Sequence, residues 1–177
     1  MYYLHYEEET SVNYCFLFSL YLLAERNTKE RINNIIKYES LSKLSKRIET
    51  ECNYKISSST ISRILNNSNY NLYLTHNKKD KTIMLNNNFK RTNKTASNKF
   101  VVLNDYEIKF LIAEDNILLN KYYLYLKYYC GYSKSKESNF TAKQFLTAIG
   151  YCANSGKLLA EISRINFLLS GKGFISI

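Results

Sequence analysis

The sequence predicts a mainly helical α+β fold with small β hairpins, arranged as two similar domains. The chain has 177 residues, of which 45% are hydrophobic. That is enough for one large or two small hydrophobic cores. Apolar residues recur at helical spacing in several segments, and short β-like runs follow them. A polar, basic stretch at 90–99 separates the predicted domains 1–89 and 100–177, and its composition is typical of a linker.

The first two helices of the first domain are predicted from capping residues and apolar stripes. Thr10 or Ser11 is expected to cap a helix that runs to about Arg26 and is apolar on all sides, which indicates burial on more than one side. Ser40 is expected to cap a helix over 41–51. Its inward residues are Leu44, Ile48 and Cys52, and its outward residues are Lys43, Lys46 and Arg47.

A third helix and a hairpin complete this domain. Asn53 allows a tight turn, because asparagine tolerates the left-handed conformation. One of the serines at 57–59 then caps a helix that ends near Asn67. Its inward residues are Ile61, Ile64 and Leu65. Two strands follow, Leu72–Leu74 and Ile83–Leu85, and the polar segment 75–81 joins them as a hairpin.

The second domain shows a similar order of elements. The predicted elements are a strand at Phe100–Leu103, an ambiguous segment around Tyr106–Ile112, a Tyr- and Leu-rich helix at Ile117–Tyr129, a helix at Ala142–Ile149, a helix at Lys157–Leu169 and a final strand at Phe174–Ile177. Thr141 and Gln144 form a capping box before the middle helix, and Gly150 ends it. Gly171 and Gly173 end the last helix.

A short repeat supports the division into two similar halves. Ile61-Ser-Arg-Ile64 recurs as Ile162-Ser-Arg-Ile165 in a similar order of helices and β-like runs. Helix, short turn, helix and hairpin is the winged-helix plan, in which the last helix keeps an outward polar face that fits the major groove. The sequence therefore predicts tandem winged-helix domains.

The positive charge is concentrated in one part of the chain. The net charge is +10, and residues 53–99 hold nine basic side chains but one acid. Such an excess favours a polyanion, and we expect duplex DNA. The expected DNA contacts of the first domain and linker are Lys55, Ser58, Ser59, Thr60, Ser62, Arg63, Asn66, Asn67, His76, Lys78, Lys79, Lys81, Lys90 and Arg91. Arg63 has the geometry to bond guanine, and Asn66 or Asn67 to bond adenine.

The second domain is a weaker candidate for DNA contact. Lys157 and Arg164 are its expected contacts, although Glu161 is placed to form a surface ion pair with Arg164. The tyrosines of 122–132 have the chemistry to stack on single-stranded bases, but helical spacing favours a core or a homodimer interface. A structural role and a protein-interaction scaffold without DNA binding both stay open.

The sequence contains few features typical of an enzyme or of a membrane protein. There are two histidines without ligand-like spacing, no CxxC pair, and no phosphate-loop, dinucleotide or nucleophile-elbow motif. No apolar run approaches the ~20 residues of a membrane span. We therefore expect a cytoplasmic, non-catalytic protein without metal or cofactor, whose four cysteines are reduced and mostly buried.

Particular segments resemble known DNA-binding proteins. Lys99-Phe-Val-Val-Leu103, the Tyr- and Leu-rich helix, Phe140-Thr-Ala-Lys-Gln-Phe-Leu146 and the long helix that ends before Gly173-Phe-Ile175 resemble winged-helix domains of plasmid replication initiators and phage replisome organisers of A/T-rich bacteria. Ser57–Ile64 resembles winged-helix DNA-binding modules more generally. The resemblance implies a role in replication initiation, with transcriptional repression as the alternative.

Overall fold

The computed structural model describes residues 2–5, 12–27, 34–86, 100–132 and 140–175, and its fold is α+β. Two compact units divide at Asp115 and Asn116. Unit 1 contains β1 (Tyr2–His5), α1 (Tyr14–Asn27), β2 (Ile35–Lys37), α2 (Leu41–Cys52), α3 (Ser58–Leu65), β3 (Leu74–Asn77), β4 (Thr82–Leu85), β5 (Phe100–Leu103) and α4 (Asp105–Glu114). Unit 2 contains α5 (Ile117–Tyr132), α6 (Ala142–Ala148) and α7 (Gly156–Gly171).

Helix α1 is the centre of unit 1. Every side chain from Tyr14 to Ala24 is at most 5% exposed, which confirms a helix that is buried on all sides. The Asn13 side chain accepts a hydrogen bond from the Phe16 amide at 3.0 Å and so caps this helix, whereas the predicted caps Thr10 and Ser11 lie outside the described residues. Helices α2 and α4 pack against α1.

The predicted caps of α2 and α3 are confirmed. Ser40 accepts from the Lys43 amide at 3.2 Å, and Ser57 accepts from the Thr60 amide at 3.1 Å. Asn53 ends α2 in the left-handed conformation, with φ of 54°. The predicted inward residues of both helices are buried: Leu44, Ile48, Cys52, Ile61, Ile64 and Leu65.

The hairpin is present, but its first strand begins later than predicted. Residues 71–73 form a turn after a single 3₁₀ turn at Ser68–Tyr70, and the strand runs over Leu74–Asn77. This turn lets both Tyr70 and Tyr73 enter the core, where they are at most 3% exposed. The prediction of a strand at Leu72–Leu74 was therefore wrong by about two residues.

The sheet has a third strand that the sequence analysis missed. β2 pairs antiparallel with β4, which also pairs with β3, so the order is β2-β4-β3. Ile36, Ile83 and Leu85 lie on the inward face of the sheet and are buried. β2 has only three residues and ends in Lys37, which is too little for a period-two pattern to be recognised.

Two segments that were assigned to the second domain belong to unit 1. β5 pairs antiparallel with β1, in a register that sets Tyr2 opposite Leu103. Helix α4 follows at once and packs on α1, where the Cys15 thiol donates to the Leu111 carbonyl at 3.7 Å. Asn104 and Glu107 form a capping box that resolves the ambiguous segment 106–112 as a helix.

Unit 2 is helical in the residues that the structure describes. The capping box of Thr141 and Gln144 opens α6, and Gly150 ends it with φ of 74°. Gly173 has φ of 72°, and the Phe174 amide donates to the Leu169 carbonyl at 2.9 Å, which is the Schellman end of α7. Phe174 packs edge-on against Tyr123 at 5.4 Å. The predicted strand at Phe174–Ile177 was wrong for residues 174 and 175, and residues 176–177 lie outside the described part.

Three tyrosines of the row on α5 belong to the core. Tyr122, Tyr123 and Tyr125 are at most 5% exposed, and Tyr122 and Tyr125 surround Phe145 at 4.8 and 5.1 Å. These rings are not accessible for base stacking, and the expected homodimer through the Tyr- and Leu-rich helices finds no support in their burial. The Tyr129 ring is the more exposed end of the row.

Candidate nucleic-acid interface

Helix α3 presents a polar face made largely of small hydroxyl groups. Ser58 and Ser59 are exposed, and Thr60 and Ser62 are half-buried. The Ser57 hydroxyl lies 2.9 Å from both the Ser59 and the Thr60 hydroxyls, so these three groups form one connected cluster at the start of the helix. Small side chains with hydroxyl donors permit close approach to a phosphate backbone.

Arg63 is the cationic group of this face. It lies in the last turn of α3 and is exposed. Its charge reaches Tyr70, whose pKa is raised chiefly by burial and is lowered in part by the hydrogen bond with Asn13 and by Arg63. The Tyr70 hydroxyl accepts the backbone N–H of Asn13 at 2.6 Å. Arg63 therefore lies near the contact that joins the 3₁₀ turn Ser68–Tyr70 to the start of α1.

The two expected adenine-reading residues lie at the end of α3 and bond their own backbone. The Asn66 side chain donates to the Ser62 carbonyl at 2.8 Å, and the Asn67 side chain accepts from the Asn69 amide at 3.0 Å. These bonds end α3 at Leu65 and start the 3₁₀ turn, so the helix is shorter than predicted. Each amide uses part of its hydrogen-bonding capacity in the fold.

The hairpin turn, residues 78–81, carries three exposed lysines. Asn77 and Asp80 close it, because Asn77 accepts from the Asp80 amide at 3.1 Å and donates to its carboxylate at 2.6 Å. Lys81 has φ of 49°, and its carbonyl accepts from the Tyr38 amide at 3.1 Å. These bonds fix the backbone of the turn. Lys78, Lys79 and Lys81 all project into solvent.

His76 lies inside the fold and is not at the tip of the hairpin. Its Nε2 is 2.6 Å from the Tyr38 hydroxyl, and its ring is half-buried. Burial lowers the pKa of His76, the nearby Lys78 lowers it further, and a hydrogen bond to the Leu65 carbonyl raises it in part. The imidazole thus joins β3 to the segment after β2, a role that sequence reasoning did not find.

The remaining predicted contacts are dispersed. The Lys55 side chain is 87% exposed and lies 3.6 Å from a Glu49 carboxylate oxygen. Lys90 and Arg91 lie outside the described residues. In unit 2, Lys157 is exposed, whereas the Arg164 guanidinium donates two hydrogen bonds to Glu161, at 2.7 and 3.0 Å. Glu161 also accepts from Asn116 at 3.0 Å, which holds its carboxylate in place.

The described residues contain no group of three or more potential metal ligands, and none of their helices is long and apolar enough to cross a membrane. The four cysteines are free: Cys15 and Cys52 are buried, Cys130 is half-buried and Cys152 is exposed. The prediction that most of them are buried holds for two.

The comparisons with known proteins give no relative. No protein family matches the chain, and neither a curated protein nor a solved structure is similar to it.

Proposed function

We propose that unit 1 is a winged-helix module that binds duplex DNA without catalysis. The observation that carries this proposal is that α3 and the β3–β4 hairpin lie in one compact unit, in which Ile61 and Ile64 of α3 and Ile83 and Leu85 of the hairpin are buried. The polar face of α3 and the lysines of the hairpin turn are therefore parts of the same unit. A helix and a basic hairpin in one unit are able to contact one DNA duplex together.

The order of elements in unit 1 supports this proposal. Helix α1, helices α2 and α3 with a short connection, and then the β3–β4 hairpin follow the winged-helix plan, with β2 as an added strand beside β4. The second half of the proposed tandem has no hairpin among its described residues. We therefore assign the DNA contact to unit 1.

Each group has a distinct role in the proposed complex. Arg63 bonds the acceptor edge of a guanine in the major groove, and the serines around it bond phosphate. Lys78, Lys79 and Lys81 neutralise phosphates without reading sequence, and each contact releases counterions. Affinity then depends strongly on salt, while sequence preference depends on α3.

Salt-dependent binding tests the proposal. We expect random duplex DNA to bind the protein, with affinity that falls steeply between ~50 and ~200 mM salt. Lys78→Gln combined with Lys79→Gln removes two phosphate contacts, so the slope of log K against log salt is expected to fall by about 1.8. Lys109→Gln, an exposed lysine of α4, is the matched control and should leave the slope unchanged. Absence of binding at low salt would overturn the proposal and favour a protein-interaction scaffold.

The process that we propose is plasmid or phage replication initiation, with transcriptional repression as the alternative. The resemblance of Lys99–Leu103 and Phe140–Leu146 to initiator segments supports the first. Selection of preferred duplexes from a random pool distinguishes the two. Repeated A/T-rich sites favour replication, and a single palindromic operator favours repression.

A further inference from the structure

A charged groove lies beside the hairpin turn, on the side formed by the end of β2 and the start of α2. Its volume is about 780 Å³. Its cationic lining is Lys37, Lys43, Arg47 and Lys81, and its acidic lining is Glu39 and Asp80. The sequence analysis did not find this site, because Lys37 lies on the strand that it missed and Glu39 was not considered.

The backbone brings two of these lysines together. In the antiparallel register Lys37 lies opposite Thr82, and the Tyr38 amide donates to the Lys81 carbonyl at 3.1 Å. Lys37 and the residue after it therefore lie across from Thr82 and Lys81. Both lysines are exposed and line the groove.

Glu39 is the acidic residue that forms an ion pair within this positively charged groove. Its carboxylate accepts a hydrogen bond from the Lys43 ammonium, one helical turn further along the chain. That hydrogen bond and the charge of Lys43 lower the pKa of Glu39, and the charge of Lys81 lowers it further. The carboxylate therefore occupies a position where at least two ammonium groups favour an anion.

The other two charged groups of the lining have partners of their own. Asp80 accepts from the Asn77 side chain within the hairpin turn, and the Arg47 guanidinium bonds Glu51 at 2.8 Å. Within the described residues, no ion pair involves Lys37 or Lys81. Glu39 is thus the counter-charge for Lys43 and, more weakly, for Lys81.

We propose that this groove is a second contact for the nucleic-acid backbone, in which a phosphate takes the place of the Glu39 carboxylate between Lys43 and Lys81. The inference rests on the function proposed for unit 1 and extends it to a second surface. Lys37, which also lines the groove, contacts the same nucleic-acid strand. Glu39 then acts as an internal competitor that lowers the affinity of the groove for phosphate.

The form of the groove favours a polymer over a small anion. The Lys43 and Glu39 side chains are 67% and 77% exposed, so neither encloses a ligand. The groove is also continuous with the hairpin turn through Asp80 and Lys81, and Lys78 and Lys79 lie on the same turn. A nucleic-acid backbone that contacts Lys78 and Lys79 of the turn is therefore able to extend into the groove.

The test is the removal of the competing charge by Glu39→Gln. We expect two- to fivefold tighter binding of random duplex DNA, because an exposed ion pair contributes up to about this factor. The salt slope should become steeper by up to about 0.9, since one more lysine contacts phosphate. Glu114→Gln on α4, also an exposed acid of unit 1, is the control for net charge.

The reverse change has the opposite expected result. Lys37→Gln combined with Lys43→Gln should weaken DNA binding and flatten the salt slope. Adding Glu39→Gln to this double variant should then change the affinity little. Thermal unfolding of each variant checks that the fold is retained. If Glu39→Gln and Glu114→Gln tighten binding equally, the effect is net charge alone and the groove proposal is wrong.

The outcomes also separate this inference from the function on which it rests. Wild-type binding that depends on Lys78 and Lys79 but is unchanged by Glu39→Gln overturns the groove and keeps the DNA-binding module. Absence of duplex binding by both the wild type and Glu39→Gln overturns both.

Discussion

The sequence Ile-Ser-Arg-Ile occurs in α3 and again in α7, and the two copies differ in what surrounds the arginine. The isoleucines behave alike: Ile61, Ile64, Ile162 and Ile165 are at most 5% exposed. The arginines do not. Arg164 is bonded twice to Glu161, whereas no ion pair of Arg63 is found in the described part of the chain.

The difference follows from the residue three positions before each arginine. It is Thr60 in α3 and Glu161 in α7. Residues at this spacing are neighbours on one helix face, so a glutamate there captures the guanidinium and a threonine does not. The comparison teaches that a repeated motif preserves the buried pattern, while one neighbouring residue decides whether its cation is available to a partner.

The buried isoleucines that the two copies share are expected to give the largest effect, which is on the free energy of unfolding. Ile61→Ala and Ile162→Ala each remove a fully buried side chain and leave a cavity, so each should lower the free energy of unfolding by about 2–5 kcal/mol. Urea denaturation measures both. Ala160→Gly, at an exposed site in α7, serves as a mild control and should cost about 1 kcal/mol. A negligible loss for either isoleucine would contradict the equivalence of the two copies.

The arginines themselves are expected to differ in DNA binding. Arg63→Ala should weaken binding to the selected site by about 1–3 kcal/mol and relax the preference for one base pair. Arg164→Ala should change binding by less than twofold, because Glu161 already neutralises its charge. Fluorescence anisotropy with selected and random duplexes measures both constants. Equal losses for the two variants would refute the assignment of the contact to unit 1.

Exchange of the deciding residue sharpens the comparison. Thr60→Glu places a carboxylate three residues before Arg63 and, with Ser57 as the cap, completes a capping box. Helix α3 should become more stable by a few tenths of a kcal/mol while DNA binding weakens several-fold. Thr60→Gln is the matched control, since it completes the capping box without the charge. Weaker binding by both variants would show that Thr60 itself is the contact.

The smallest expected effect is the pH dependence of stability that His76 gives to unit 1. Burial holds the pKa of His76 below its ordinary value of about 6.5. The unfolded chain therefore binds this proton more readily than the folded chain, so the His76 contribution to stability is complete above pH ~6.5 and is lost as the pH falls. Urea midpoints at pH 7.5 and 5.5 should differ by less in His76→Gln than in the wild type. An unchanged difference would mean that the His76 contact does not respond to protonation.

Local signals predicted the fold well where the interacting groups are near in sequence. The caps Ser40 and Ser57, the left-handed Asn53 and the capping box at Thr141 each involve residues within four positions of one another. β5 was assigned to the wrong unit because its partner strand is about a hundred residues away. Periodicity carries no information on such a pairing.

The candidate site divides in the same way. The exposure of Arg63, Lys78 and Lys79 follows from their polar positions on a helix face and a turn, and the structure agrees. The half-buried position of His76 depends on its contact with Tyr38, which lies 38 residues earlier in the chain. Lys37 belongs to the charged groove only because β2 pairs with β4, so the sequence pattern of α3 and the hairpin does not indicate it.

The pairing of β1 with β5 has a consequence for the order of events during synthesis. Residues 2–5 are synthesised about a hundred residues before their partners at 100–103. Until then β1 has no partner strand, and the face of α1 that packs on α4 stays uncovered. An exposed apolar helix and an unpaired strand edge favour association with other chains. During synthesis the chain therefore passes through a long interval in which β1 and one face of α1 are open to association with other chains.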